Sequence, residues 1–263
     1  MPLASLLALL ICGQAPTASA PAPAASAPAP PKWTGSVGFN LVSITGNATA
    51  VTLNGTGGAE LKTPEWIYGL KASATYGVSK ATPDAPSQVL ALAGSLQARV
   101  DRRLNQMISV YLLGGAEADH VKSVEFRGIG ETGIGLIWIS KMEGDLERML
   151  FRTDLAFRYA HESRFQYYPT PMSLPAADLY APKLGVAFRY AFSKDVRFVE
   201  SAEVLPSVSG DGRVVVNNLT KLTAQLWGAL AASLGFTLNY DSKPAPGKVP
   251  TDTALSVGLE YQI

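Results

Sequence analysis

The chain has 263 residues, of which 47% are hydrophobic and 16% charged, with a formal net charge of +1. That apolar content excludes a disordered chain, and so small a net charge supplies no cationic excess to displace counterions, which excludes a nucleic-acid partner. The single cysteine, Cys12, falls in the export leader described next, so the remainder can have neither a disulfide framework nor thiolate metal chemistry.

Residues 3–13 are apolar, about as long as the core of an export signal and too short to cross a bilayer as a helix. Small residues follow, so 1–20 read as a secretory signal peptide. No Lys or Arg precedes the apolar run, and Pro21 disfavours cleavage after Ala18-Ser19-Ala20. Bulky Ile11 ahead of Cys12 departs from a lipidation signal. Residues 21–32, almost entirely Pro and Ala, form an extended linker that cannot build a core.

From residue 33 onward no stretch of about 20 apolar residues occurs, which excludes a helical membrane span. The period is instead two. Trp66, Tyr68, Leu70, Ala72, Ala74, Tyr76 and Val78 alternate with Ile67, Gly69, Lys71, Ser73, Thr75 and Gly77. Phe151, Thr153, Leu155, Phe157 and Tyr159 alternate with Arg152, Asp154, Ala156, Arg158 and Ala160. A strand with that pattern has one apolar face and one small or polar face. Such runs fall near 33–44, 48–61, 66–79, 87–101, 106–117, 124–139, 148–162, 182–193, 196–207, 213–226, 229–241 and 252–263.

Twelve runs are an even number, as a single-chain bacterial barrel with both ends on the periplasmic side requires. The long links expected at 80–86, 163–181 and 242–251 fall on one side and the short ones at 62–65, 102–105, 194–195 and 227–228 on the other, with 140–147 as the exception. A soluble β-sandwich would alternate equally well but would not sort its loops in this way. The pattern predicts an all-β, transmembrane, antiparallel up-and-down β-barrel of about twelve strands over 33–263, in the outer membrane of a Gram-negative-type bacterium. Trp33, Trp66, Trp138, Tyr159, Trp227, Tyr240 and Tyr261 near run ends fit interfacial girdles against outer-membrane lipid. The last run, ending Leu255, Val257, Leu259, Tyr261, Ile263, looks like the strand signal read by the barrel-assembly machinery, with Ile263 in place of the usual Phe. Glu200 falls on the lipid face of the ninth run, where a charge is costly, so that run is expected to carry a bulge or a different register.

Several stretches resemble a family of uncharacterised outer-membrane barrels known as salt-induced outer membrane proteins. They are Trp33-Thr34-Gly35, Gly46-Asn47, Arg99 with Asp101, Glu131-Thr132-Gly133-Ile134-Gly135, Tyr159 with Glu162, and above all Tyr240-Asp241-Ser242-Lys243-Pro244-Ala245-Pro246-Gly247 leading to Thr251-Asp252-Thr253 and Gly258-Leu259-Glu260-Tyr261. The resemblance implies an outer-membrane barrel linked to salt or osmotic stress, and brings no catalytic residues.

Alternation turns Lys71, Arg99, Arg127, Arg152, Arg158, Lys183 and Arg189 inward against Asp101, Glu117, Glu125, Glu131, Asp154, Glu162 and Glu260: seven cations against seven anions. Charges in a narrow lumen are tolerable when paired, so the balance predicts a network of ion pairs without ion-sign selectivity. The expected network is Arg99, Asp101, Glu125, Arg127, Glu131, Arg152, Asp154, Arg158, Glu162 and Arg189. Its expected centre is Glu125, Arg127, Glu131, Arg152, Asp154 and Arg158, on the adjacent sixth and seventh strands; the alternative is separately solvated charges.

Two functions lead at this point, a pore for small solutes and a closed structural or surface-interaction barrel, with a lipid-modifying barrel enzyme as the least favoured third. In either, the aromatic and proline-rich stretch 163–181 is expected to be a stiff outer loop, able to fold inward as a constriction. An enzyme is not expected, because the two histidines, His120 and His161, stand in no nucleophile-and-base motif. No cofactor or metal is expected either, and Gly128, Gly130, Gly133 and Gly135, inside a strand, read as bends or close packing rather than a phosphate loop.

Overall fold

The computed structural model describes residues 32–44, 49–80, 86–167, 170–210 and 212–263. The expected signal peptide with Cys12, nearly all of the linker, and Gly46-Asn47 lie outside them. Twelve strands run in chain order: β1 Lys32–Ile44, β2 Thr49–Lys62, β3 Trp66–Lys80, β4 Gln88–Arg103, β5 Ile108–Asp119, β6 Val124–Glu143, β7 Leu146–Gln166, β8 Met172–Ala191, β9 Val196–Pro206, β10 Val214–Trp227, β11 Leu230–Asp241 and β12 Thr251–Gln262. Each pairs antiparallel with its sequence neighbour, and β1 pairs with β12 to close the barrel. An even strand count brings Lys32 and Ile263 to the same end, here called the near end.

Closure leaves no edge among the barrel strands, so the backbone is satisfied around the ring and each side chain has only two directions to take. The apolar set goes outward: Phe39, Leu112 and Leu255 are each 66% exposed and Trp227 85%. Each large apolar side chain left in water forgoes about 1.5–3 kcal/mol of burial, so such a wall is stable only against hydrocarbon. Trp33, Trp66, Trp138, Trp227 and Tyr261 all sit toward the near end, whereas Tyr159 and Tyr240 belong to the far half. The aromatic belt is therefore lopsided, with tryptophan confined to one side.

Three expectations are corrected. The 140–147 link is no loop: β6 and β7 continue to Glu143 and Leu146, and the hairpin closes through Gly144 at φ 61°, a left-handed conformation that glycine adopts without strain. Nor is 163–181 a long outer loop. β7 runs to Gln166 and β8 starts at Met172, and Phe165 lies in β7. Pro175 and Pro182 hid that strand from the alternation. β8 pairs with β9 only from Leu184 to Ala191, so both prolines lie on a stretch laddered to β7 alone, whose other edge accepts a bond from Val208 N at Tyr180 O, and a missing N–H on that edge costs no ladder bond. The third correction concerns β9, whose ladders to β8 and β10 run through Glu200 without a shift. Glu200 does face outward, and its carboxylate accepts hydrogen bonds from Asn218 and, at 2.6 Å, from Thr220 Oγ1. Two neutral donors on the same outer face relieve the charge, so no bulge is needed.

β6, β7 and β8 thus reach 20, 21 and 20 residues, against 11 to 16 elsewhere, and stand out as one tall wall. Its inward apolar residues Ile129, Ala160, Leu179 and Ala181, with Leu205 of β9 and Val215 of β10, form the small core of the far half of the lumen.

Candidate functional site

Inward charges meet at successive levels. At the near end, Arg189 of β8 lies 3.9 Å from Glu60 of β2, and Lys62 of β2 lies 3.7 Å from Glu147 of β7. β2 and β8 are half-way round the barrel from one another, so these pairs reach across the lumen.

The middle level is a closed ring of two arginines and two aspartates. Arg99 Nε donates to Asp101 at 2.8 Å and its Nη1 to Asp154 at 2.8 Å; Arg152 Nη2 donates to Asp101 at 2.5 Å and its Nε to Asp154 at 2.7 Å. Each carboxylate therefore receives both guanidiniums, so a buried charge on either side has two opposite partners. Gly135 makes the ring possible, because a Cβ there would run into the Arg152 guanidinium, while Gly133 permits the close approach of β6 to β7, where a Cβ would lie 2.5 Å from Leu155 O. The Arg99 guanidinium stacks 3.6 Å from the centroid of the Tyr111 ring, whose hydroxyl donates to Glu131 Oε1 at 2.6 Å. Glu131, with a fully buried side chain, also accepts from Lys183 at 2.6 Å and Arg158 Nε at 2.6 Å. Both cations continue to Glu203, at 2.8 Å from Arg158 and 3.1 Å from Lys183, and Asn217 donates to Glu203 at 2.9 Å. The result is one continuous network from β4 to β10.

Above it, Glu162 of β7, 1% exposed, gathers Arg127 at 2.8 Å, Arg164 at 2.7 Å and Arg213 at 2.8 Å. Arg127 also pairs with Glu117, and Arg213 with Asp241 at 2.5 Å. Arg213 lies in the link before β10. Burial alone would loosen its proton, but hydrogen bonds to Asp241 and the charge of Glu162 outweigh that and hold it above the ordinary guanidinium value. Over the far mouth, the link after β11 folds inward, burying Ala245, and Lys122 reaches Asp252 at 3.1 Å. Lys122 stands between β5 and β6 and Asp252 on β12, so this pair also crosses the barrel.

Of the residues expected to form the network, Arg99, Asp101, Glu131, Arg152, Asp154 and Arg158 are joined through direct or shared partners, Arg127 and Glu162 meet in a separate cluster above them, and Arg189 stands apart at the near rim. Glu125 is not brought in. It is the extra residue of a bulge, between Val124 opposite Arg164 and Phe126 opposite Ser163, and is exposed without an ion pair among the described residues. The centre is not confined to β6 and β7 either, because Arg99 and Asp101 come from β4. Sequence reasoning left out Tyr111, Glu203, Asp241 and Arg213. Parity could have found Tyr111, which shares its face with Glu117, and Glu203, which is three residues from outward Glu200. Arg213 opens the tenth run, 213–226, and shares parity with Val215 and Asn217, so it too could have been placed inward. Inside the far half, beneath the Lys122–Asp252 pair, lies a chamber of about 480 Å³ lined by Ser95, Gln97, Leu179, Leu205, Asn217 and Asn239 among others, with Arg158 and Glu203 in its floor.

Residues 37–263 match a family model described as "Protein of unknown function, DUF481". None of the curated proteins matches the chain. Among solved structures, the chain is similar to the NanC porin, at 10% identity and TM-score 0.47 over 88% of this chain and 100% of that one. It is similar to an outer membrane channel from Pseudomonas putida F1, at 10% identity and TM-score 0.46 over 88% and 94%. A third is the translocator domain of the autotransporter NalP from Neisseria meningitidis, at 10% identity and TM-score 0.44 over 87% of each chain. At this level the likeness is one of barrel form.

Proposed function

The chain belongs to the family of unknown function DUF481, and on that footing we propose that it is an outer-membrane barrel acting as a narrow, charge-balanced conduit for small solutes, with its near end periplasmic and its far end outside. The outer face of exposed apolar side chains supports the membrane setting, and the short near-end connections against longer far-end ones support the orientation. One observation carries the narrowness: ion pairs join opposite walls at the near rim and bridge β4 to β7 at mid-height, while an outward chamber stays open above. A general diffusion pore keeps its charged lumen side chains apart in water. Here they meet, so passage requires them to part. The stress role implied by the resemblance belongs to the same proposal, and cells lacking the chain should recover more slowly after a salt upshift.

Single-channel recording in planar bilayers tests the conduit. The native protein should give small, brief steps with little cation or anion preference. Replacing Arg99 and Arg152 together by Ser should enlarge the steps and favour cations, because Asp101 and Asp154 then face the lumen unpaired. Silence from both proteins, each shown separately to be folded and inserted, would overturn the conduit in favour of a closed structural barrel.

A further inference from the structure

The far chamber differs in kind from the constriction below it. One side of it is apolar, formed by Ile129, Leu179, Leu205 and Val215 around buried Ala160. Hydrogen-bonding groups without charge, Ser73, Ser95, Gln97, Asn217 and Asn239, share the rest with charged side chains of both signs. Five of the cations that border it are held in ion pairs, Arg127, Arg164 and Arg213 by Glu162, Arg158 by Glu131 and Glu203, and Lys122 by Asp119 and Asp252, while Lys248 of the roof makes no ion pair among the described residues. Below the half-buried Lys248 of the roof, an ionic ligand would therefore have to break an existing pair to gain one.

Two amides are left to act. The side chains of Gln97 and Asn239 make no hydrogen bond among the described residues and line the chamber. A cavity with an apolar wall and a few convergent polar groups is the usual form of a small-molecule site, and about 480 Å³ lies within the usual range of about 300–1,000 Å³. Among the described residues, the roof, Pro244, Ala245 and Pro250 of the β11–β12 link, is crossed toward the opposite wall by the half-exposed pair of Lys122 with Asp252 of β12, so entry from outside needs no disruption of the buried network.

We infer that this chamber is a binding site for a small uncharged solute with an apolar face and a rim of hydroxyl groups, of the chemical class of a neutral monosaccharide or disaccharide. The inference rests on the outward-facing conduit reading and names what that conduit admits. The apolar wall takes the C–H face of the ring. Gln97 and Asn239 on opposing walls take hydroxyls, each as donor or acceptor.

The test uses the full chain refolded in detergent, with three sugars of one ring type that differ in charge: glucose, glucuronate and glucosamine, and with trehalose as the larger neutral probe. Binding is read by saturation-transfer NMR and calorimetry. Glucose or trehalose should bind in the millimolar range, and the two charged sugars at least about tenfold more weakly. Gln97→Ala should weaken the neutral sugar about three- to tenfold, the worth of one or two hydrogen bonds. Ser95→Trp, which fills the chamber, should abolish binding while leaving heat-modifiable gel mobility intact. Equal or tighter binding of a charged sugar, or binding that survives both substitutions, would overturn the site. So would absence of neutral-sugar binding in a protein that is folded and conducts in bilayers, a result that leaves the conduit itself standing.

Discussion

The two sides of this barrel obey the same outer pattern and fill the lumen in different ways. From β4 to β9 the inward face carries the Arg99–Asp101–Arg152–Asp154 ring, the Glu131–Lys183–Arg158–Glu203 group and Glu162 among its arginines. From β1 to β3 much of the inward face is small or neutral: Asn40 donates to Asn54 at 3.2 Å, Asn54 donates to Thr75 at 2.7 Å, and Gly38 leaves room for Thr56. Closing the sheet demands only that apolar residues alternate outward. The inward composition is then free to differ, and stability on the charged side hangs on pairs that fail together, whereas on the small side it hangs on single hydrogen bonds.

Replacing Glu162 by Gln should break that comparison most strongly. Arg127, Arg164 and Arg213 would face one another around a neutral amide, and the loss of one partner from a buried ion cluster costs about 3–5 kcal/mol. Urea unfolding of the barrel in vesicles should show a clearly lower midpoint, and an unchanged midpoint would mean that water in the lumen already screens the cluster. Arg152→Gln comes next. It removes hydrogen bonds to both Asp101 and Asp154, each charge-assisted, and should cost about 1.5–3 kcal/mol, read as a sharp fall in the temperature at which the folded gel band disappears. On the small side, Asn54→Ala removes neutral bonds and should cost about 1 kcal/mol in the same urea assay. A loss there as large as that of Glu162→Gln would erase the distinction between the sides. The smallest effect belongs to Lys122→Ala. Its pair with Asp252 is exposed on both sides and should be worth less than about 1 kcal/mol, yet the substitution should speed the entry of a neutral sugar into the chamber, measured by NMR exchange.

Much of this architecture is legible in the chain. Leu255, Val257, Leu259 and Tyr261 alternate so regularly that their strand, its face and its place at the end of the barrel follow from period two alone. The same reading places Arg99, Asp101, Arg152, Asp154 and Arg158 inward. It fails where the alternation is interrupted. Pro175 and Pro182 made the start of β8 look like a loop, and Glu125 was assigned inward because parity counts straight through a bulge. Arg213 opens the expected tenth run, 213–226, but its partners Glu162 and Asp241 come from β7 and β11, and parity names no partner.

By itself, then, the sequence determined the number of strands and which face of most of them turns outward, because the alternation of apolar side chains is local, repeats every second residue and needs no knowledge of partners. Only the tertiary structure decided which charges meet. Pairing between β4 and β7, or between β2 and β8, depends on curvature, on the shifts at bulges and on the space cleared by Gly133 and Gly135, all of which appear only when the sheet has closed on itself.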